Sequence, residues 1–333
     1  MRRQISDGFA VPLAASVSVI IALLLAGAME YMRVQMADMA AIRKHAVTAP
    51  ALQSAISLAA LMIRASSKDA VGLAPDATVG KRLLDLRAER VFFDGTPVEI
   101  QVLGRKLELR IQDEAGLVPL NILSADEIAR FLVLDGVPDE VAKRFAAEVD
   151  DFKDSDDVRQ QGGAERDDYV RGRLRPPKNR GLNLRGEFGL LRSSTYFSQY
   201  IRPQQLLLFG LDRNAYFNIN AADPKVLVKV FGFSDASASR VIEERRKSPI
   251  QAHQVRLYAH RMESRLEGRI GPWSSNRMRL TVTDIESGDA LRSVLYIEPI
   301  PTNAAALLMA QGGSTTLAPV KALPILDRET VDD

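Results

Sequence analysis

Between Asp150 and Asp168 the chain places Asp150, Asp151, Asp154, Asp156, Asp157, Glu165, Asp167 and Asp168, with Gln161-Gly162-Gly163-Ala164 in their midst. So many carboxylates repel one another unless a cation, arginines or solvent compensates them. Calcium takes six to eight hard oxygen ligands in a flexible geometry, and a glycine turn between two acidic clusters lets both converge on one ion. The spacing is not that of an EF-hand loop. A solvated acidic loop, partly neutralised by neighbouring arginines, explains the same composition. A pair of catalytic carboxylates is the third option, and no other residues point to a substrate cleft.

Other chemistry is poorly provided for. The 333 residues contain no cysteine, which excludes disulfides, thiolate nucleophiles and cysteine-based zinc sites. Three histidines (His45, His253, His260) leave little room for histidine metal sites or Ser-His-Asp catalysis. No phosphate-binding glycine loop, HExxH or GxSxG motif occurs. Lys and Arg exceed Asp and Glu by 44 − 42 = 2, so no net field selects nucleic acid or an anionic surface. Composition leans away from an enzyme.

The positioning elements begin with an apolar stretch. From Phe9 to Met29 no residue carries a formal charge, enough for a helix to cross a bilayer, and Arg2 and Arg3 precede it. Three processing outcomes fit: an ordinary signal cut after Ala28, an uncut anchor, or a prepilin-type leader ending at Gly8 that leaves the helix on the mature chain from Phe9. Continuity favours the last. Met29, Met32, Met36 and Met39 recur at helical spacing among charges, and the pattern runs to Pro50. Residues 51–65 continue as helix, with Leu52, Ile56, Ala59 and Ile63 on one stripe.

Alternation at Val98/Ile100/Val102 and Leu107/Leu109/Ile111 predicts a β-hairpin around Leu103-Gly104-Arg105. Met278/Leu280/Val282 and Leu291–Ile297, joined by Ser287-Gly288-Asp289, predict its closing counterpart. The residues between are mostly helical. The expected organisation is a leader (1–8), an N-terminal helix (9–65), an α+β domain from 66–113 and 276–300, an inserted helical domain (114–275) and a disordered tail (301–333).

The insertion carries a pseudo-repeat. Residues 119–145 and 218–246 each contain an N-cap (Ser124; Asp223 with Pro224), an apolar helix, a glycine turn (Gly136; Gly232) and a second helix. Helix–turn–helix pairs of this kind resemble nucleic-acid-binding hairpins, but Asp135, Asp139 and Asp235 at the turns oppose phosphate. Compact helix packing explains the repeats as well. The basic segment 166–192, rich in Gly and Pro and so extended or looped, fits either a grip on an acidic partner or a solvated surface loop.

Several elements in order resemble the K-type minor pseudopilins of the type II secretion pathway. They are Gly8-Phe9 before the apolar helix, DEAGLVPLN (113–121), the acidic stretch with GGAE (162–165) and Tyr169, Pro176-Pro177 followed by GEFGLLR (186–192), and NINAADPKVL (218–227). The chain departs from the family pattern at Phe152-Lys153, at Arg166 after GGAE and at Ala221-Ala222. The resemblance implies a pilin-like α+β fold: a long N-terminal helix on a small antiparallel sheet, with a large helical domain inserted between the strands. It implies a non-enzymatic role at the tip of a periplasmic pseudopilus, with I-type and J-type minor pseudopilins and other pseudopilus subunits as partners. Prepilin peptidase would cut after Gly8 and Phe9 would be methylated. The chain would sit in the inner membrane with its soluble domain in the periplasm. Calcium is implied in the insertion, with Asp154, Asp156, Asp157, Glu165, Asp167 and Asp168 as ligands.

In this light Leu13 gains meaning. Most pilins carry Glu at the fifth mature position, where it neutralises the N-terminal amine of the subunit above. A tip subunit has none above, and an unpaired carboxylate in the membrane would cost about 2–3 kcal/mol or more. Two other classes remain open: a membrane-anchored DNA-binding protein of the competence type, built on the helix pairs, and a periplasmic enzyme using the acidic stretch.

Overall fold

The computed structural model describes residues 10–212, 216–257 and 269–297. Gly8 and Phe9, and the tail from Pro301, lie outside the described residues, and Leu13 is described only as part of the first helix.

That helix, α1 (Ala10–Ala65), runs without interruption through Pro50. Its stretch Ala15–Met36 is long and apolar enough to cross a membrane, and Val19, Ile20, Leu23, Leu24 and Leu25 are exposed. A proline inside a helix removes one backbone rung, and the chain divides into two compact units next to it: one ends at Ala51, the other begins at Leu52. In the second unit, Leu52, Ala55, Ile56, Ala59, Met62 and Ile63 are buried at three- and four-residue spacing, the single apolar stripe the sequence predicts.

After α1 come three short strands in one small sheet, β1 (Ser67–Lys68), β2 (Gly72–Ala74) and β3 (Val91–Phe92). The main sheet begins with β4 (Val98–Val102) and β5 (Arg105–Asp113), a two-residue hairpin turning at Leu103 and Gly104, both with positive φ. The insertion then supplies β6 (Val118–Pro119), α2 (Ala125–Leu134), α3 (Asp139–Lys153), α4 (Arg166–Arg171), α5 (Ser194–Phe197) and α6 (Pro203–Leu206). It continues with β7 (Phe209–Gly210), β8 (Phe217–Asn218), α7 (Pro224–Lys229), α8 (Asp235–Lys247) and β9 (Ile270–Gly271). The chain returns as β10 (Arg277–Asp284) and β11 (Ala290–Tyr296), giving an antiparallel sheet of order β11-β10-β5-β4. Leu107, Leu109 and Ile111 pair with Asp284, Val282 and Leu280, so one face of both central strands is buried and apolar except at Asp284, whose carboxylate pairs with Arg105. The fold is α+β and pilin-like: a long N-terminal helix, a small antiparallel sheet, and a helical segment between its second and third strands.

The insertion has its own core, in which Phe131, Phe145, Phe188, Phe197 and Phe209 cluster at ring-centroid distances of 5.3–6.3 Å. Its two helix pairs follow the predicted plan. Ser124 closes a capping box with Glu127, Asp223 caps α7 ahead of Pro224, and Gly136 and Gly232 turn with φ of +90° and +69°. The pairs are tied together: Lys229 at the end of α7 forms an ion pair with Asp135 in the turn after α2. Asp135 therefore acts inside the fold.

The described residues from Leu52 onward form one compact unit. Buried charges explain why the insertion does not part from the sheet. Glu114, directly after β5, receives Arg277 Nε at 2.5 Å and Arg279 Nη2 at 3.1 Å from β10, and Arg185 Nη2 lies 3.5 Å away. Arg245 of α8 pairs with Asp94 at 2.7 Å and donates to the carbonyls of Ile219 and Ala222. Removing one member of such a set leaves the rest charged and buried, a cost of about 3–5 kcal/mol.

Candidate metal centre

The last turn of α3 and the loop into α4 gather three carboxylates. One oxygen each of Asp151, Asp154 and Glu165 lies within 4.8 Å of the other two. Asp151 lies in the last turn of α3, and Asp154, three residues on, is the C-cap where the backbone turns extended. Glu165 arrives at the N-cap of α4.

The GGAE segment makes that arrival possible. Gly162 has φ +87°, a left-handed conformation that glycine adopts without strain. At Gly163 a Cβ would stand 2.0 Å from Asp151 Oδ2, so only glycine lets the backbone pass the carboxylate. Ala164 is fully buried beneath the turn. The Gln160 N–H donates to Asp151 at 3.2 Å, holding the loop against α3.

Among the described residues no lysine or arginine forms an ion pair with Asp151, Asp154 or Glu165. Glu165 is only 4% exposed, and neither of its carboxylate oxygens, nor Asp154 Oδ1, has a hydrogen-bond donor in ordinary geometry. Burial, reinforced by the charges of Asp151 and Asp154, pushes the Glu165 carboxyl up to about 7. Burial and then Asp156, Asp151 and Asp150 push Asp154 up to about 6. Asp151 is raised as well, chiefly by burial. Orphaned oxygens on convergent carboxylates are what a hard divalent cation satisfies, so the residues present fit one.

The other acidic residues of the stretch are placed differently. Asp156 is exposed and accepts from the Val158 N–H at 2.8 Å. Asp157 and Asp167 are exposed. Asp168 turns inward to the α4 cap, accepting from the Glu165 N–H at 3.2 Å, from Arg171 at 2.8 Å and from Arg159 at 3.4 Å. Although burial alone would raise its carboxyl, these donors hold it below the ordinary value. Asp150 receives Lys153 Nζ at 2.9 Å and Gln160 Nε2 at 2.5 Å. Of the six residues the resemblance implied, Asp154 and Glu165 come together, and the third member is Asp151. Its three-residue spacing from Asp154 was the available signal.

Part of the basic segment beside this centre is structural. Lys178 and Arg180 hold buried Glu187 at 2.6 and 3.4 Å, and Arg185 donates to the carbonyls of Leu206 and Phe209.

No family model and no curated protein matches the sequence. Among solved structures, the chain is similar to one in the GspK-GspI-GspJ complex of the enterotoxigenic Escherichia coli Type 2 Secretion System. Identity is 14%, the TM-score is 0.47, and the match covers 78% of this chain and 94% of that one.

Proposed function

We propose that this chain is a K-type minor pseudopilin, a non-catalytic subunit that helps nucleate and cap a type II secretion pseudopilus together with I-type and J-type partners. The observation that carries this reading is the layout of the chain. A membrane-length apolar helix continues into an α+β head whose sheet is interrupted, between β5 and β10, by a helical insertion with an acidic centre. The sequence elements that resemble the family fall at the joints of this layout. DEAGLVPLN spans the exit from β5, GGAE the turn at the carboxylates, and NINAADPKVL the strand β8 and the start of α7.

In this reading the helix is kept after cleavage at Gly8, anchors the chain in the inner membrane and bundles with the helices of sibling subunits, while the head stands in the periplasm. Asp151, Asp154 and Glu165 would hold a calcium ion, which would neutralise the centre and tie the end of α3 to the start of α4. The deciding experiment is co-expression of the full-length chain with its prepilin peptidase and its I- and J-type subunits. A detergent-stable complex of the three supports the reading, and a processed chain that purifies without either sibling contradicts it.

A further inference from the structure

The basic segment is only partly used by the fold. Residues 169–192 carry seven basic side chains and one acidic one, Glu187. Glu187 is buried and takes Lys178 and Arg180, while Arg185 turns inward to Glu114 and two carbonyls. Arg171, Arg173, Arg175 and Arg192 remain, all exposed. Arg171 shares the single carboxylate of Asp168 with Arg159, and among the described residues the other three form no ion pair. The exposed Asp156, Asp157 and Asp167 all precede this run, in the loop before α4 and in its first turn.

These arginines gather around Tyr169. The Leu174 N–H returns to the Tyr169 carbonyl at 2.9 Å, and the Arg192 N–H donates to the Tyr169 hydroxyl at 3.1 Å. Arg173 takes φ +54°, a conformation in which glycine is the relaxed choice, so an arginine stands there against the preference of the backbone. Val170 and Leu174, 58% and 44% exposed, add an apolar strip between the charges. Arginine clusters of this kind recognise acidic segments.

The chain itself carries such a segment. Residues 317–326 are mostly apolar, and Asp327, Glu329, Asp332 and Asp333 follow with only Arg328 against them. The path to the surface is open. The Ile297 N–H donates to the Asn276 carbonyl at 2.7 Å, and the neighbouring Arg277 Nη2 donates to the Asn183 carbonyl at 2.5 Å. The chain therefore leaves the sheet beside the loop that carries Arg175. Residues 297–327 reach up to about 100 Å when extended, so length does not limit the contact. Tethering gives this segment an effective concentration on the order of millimolar, an advantage over any free acidic peptide.

We propose that residues 317–333 fold back over this surface, with their carboxylates among Arg171, Arg173, Arg175 and Arg192 and their apolar run over Val170 and Leu174. The same surface is thereby withheld from acidic segments of other proteins. This goes beyond the pseudopilin reading and does not depend on it.

Hydrogen–deuterium exchange on the detergent-extracted full chain, and on a chain ending at Thr316, tests it. At low salt, residues 170–175 exchange severalfold more slowly in the full chain than in the shorter one, and about 0.5 M salt removes most of the difference. Asp332→Lys with Asp333→Lys raises exchange to the level of the shorter chain. Adding Arg173→Glu with Arg175→Glu to that variant restores the protection. Equal exchange in the two chains, or protection that survives the reversal of the tail charges, overturns the inference. Protection of the shorter chain on mixing with the full one also overturns it, because the segment then acts between two copies. So does slowing of residues 170–175 only on addition of a polyglutamate peptide, because the occupant is then an acidic partner.

Discussion

Asp113 and Asn218, 105 positions apart in the sequence, meet as fully buried neighbours: Asn218 Nδ2 donates to Asp113 Oδ2 at 2.9 Å. Asp113 closes β5, Asn218 closes β8, and the same carboxylate accepts from Ser275 Oγ and from the backbone N–H groups of Ser275 and Ala115 at 2.5, 3.0 and 2.9 Å. One carboxylate thus binds the strand that leaves the sheet, the middle of the insertion and the loop that returns to β10.

Asp113→Ala removes the acceptor of four donors: Asn218 Nδ2 and Ser275 Oγ keep the Ala70 and Arg277 carbonyls, whereas the N–H groups of Ser275 and Ala115 are stranded, and the change should cost about 2–4 kcal/mol. Gly116→Ala acts at the same joint, since a Cβ there would stand 2.1 Å from the Ala221 carbonyl. Thermal unfolding followed by circular dichroism should show both variants melting several degrees below wild type. Tm values equal to wild type would mean that this joint does not hold the insertion.

The calcium assignment separates residues that composition alone does not. Added calcium should raise the Tm of the full chain, and Asp151→Asn or Glu165→Gln should abolish that rise, whereas Asp157→Asn and Asp167→Asn should keep it. At a hundredfold excess over Kd the ligand contributes about 2.7 kcal/mol. In chelator Glu165→Gln should be at least as stable as wild type, because it removes a buried carboxylate that lacks a partner. Calcium-dependent stabilisation retained in both Asp151→Asn and Glu165→Gln would place the ion elsewhere.

The pH dependence follows with a definite sign. Glu165 sits at about 7 in the folded chain against an ordinary 4.5. Without metal, the native state therefore takes up protons before the unfolded state as pH falls through 7, and stability rises until about 4.5. Calcium requires the deprotonated form, so its effect runs the other way. The Tm gain from calcium should shrink between pH 8 and pH 5.5, whereas the Tm in chelator should climb over the same range. A calcium gain that is flat across that range would contradict the role of Glu165.

Local pattern carried much of this fold. Period-two alternation marked β4, β5, β10 and β11, and capping residues marked α2 and α7, because those signals act within a few residues of one another. The buried charges left no such trace. Nothing in the residues next to Arg245, Arg277 and Arg279 points to Asp94 and Glu114, which only the fold brings to them. The carboxylate cluster lies between these cases. GGAE and the acidic run mark the stretch that contains it, but composition could not tell Asp151, packed on a helix face, from Asp157 and Asp167 in solvent. Nor could it show that Asp168 serves the α4 cap.

The central claim is that the apolar helix stays on the mature chain. N-terminal sequencing and intact mass of the protein extracted from membranes of a peptidase-positive strain address it directly, with Gly8→Ala as the uncut control. The account predicts a chain beginning at methylated Phe9 and a Gly8→Ala chain that keeps its leader. A mature chain beginning at Met29 would contradict it.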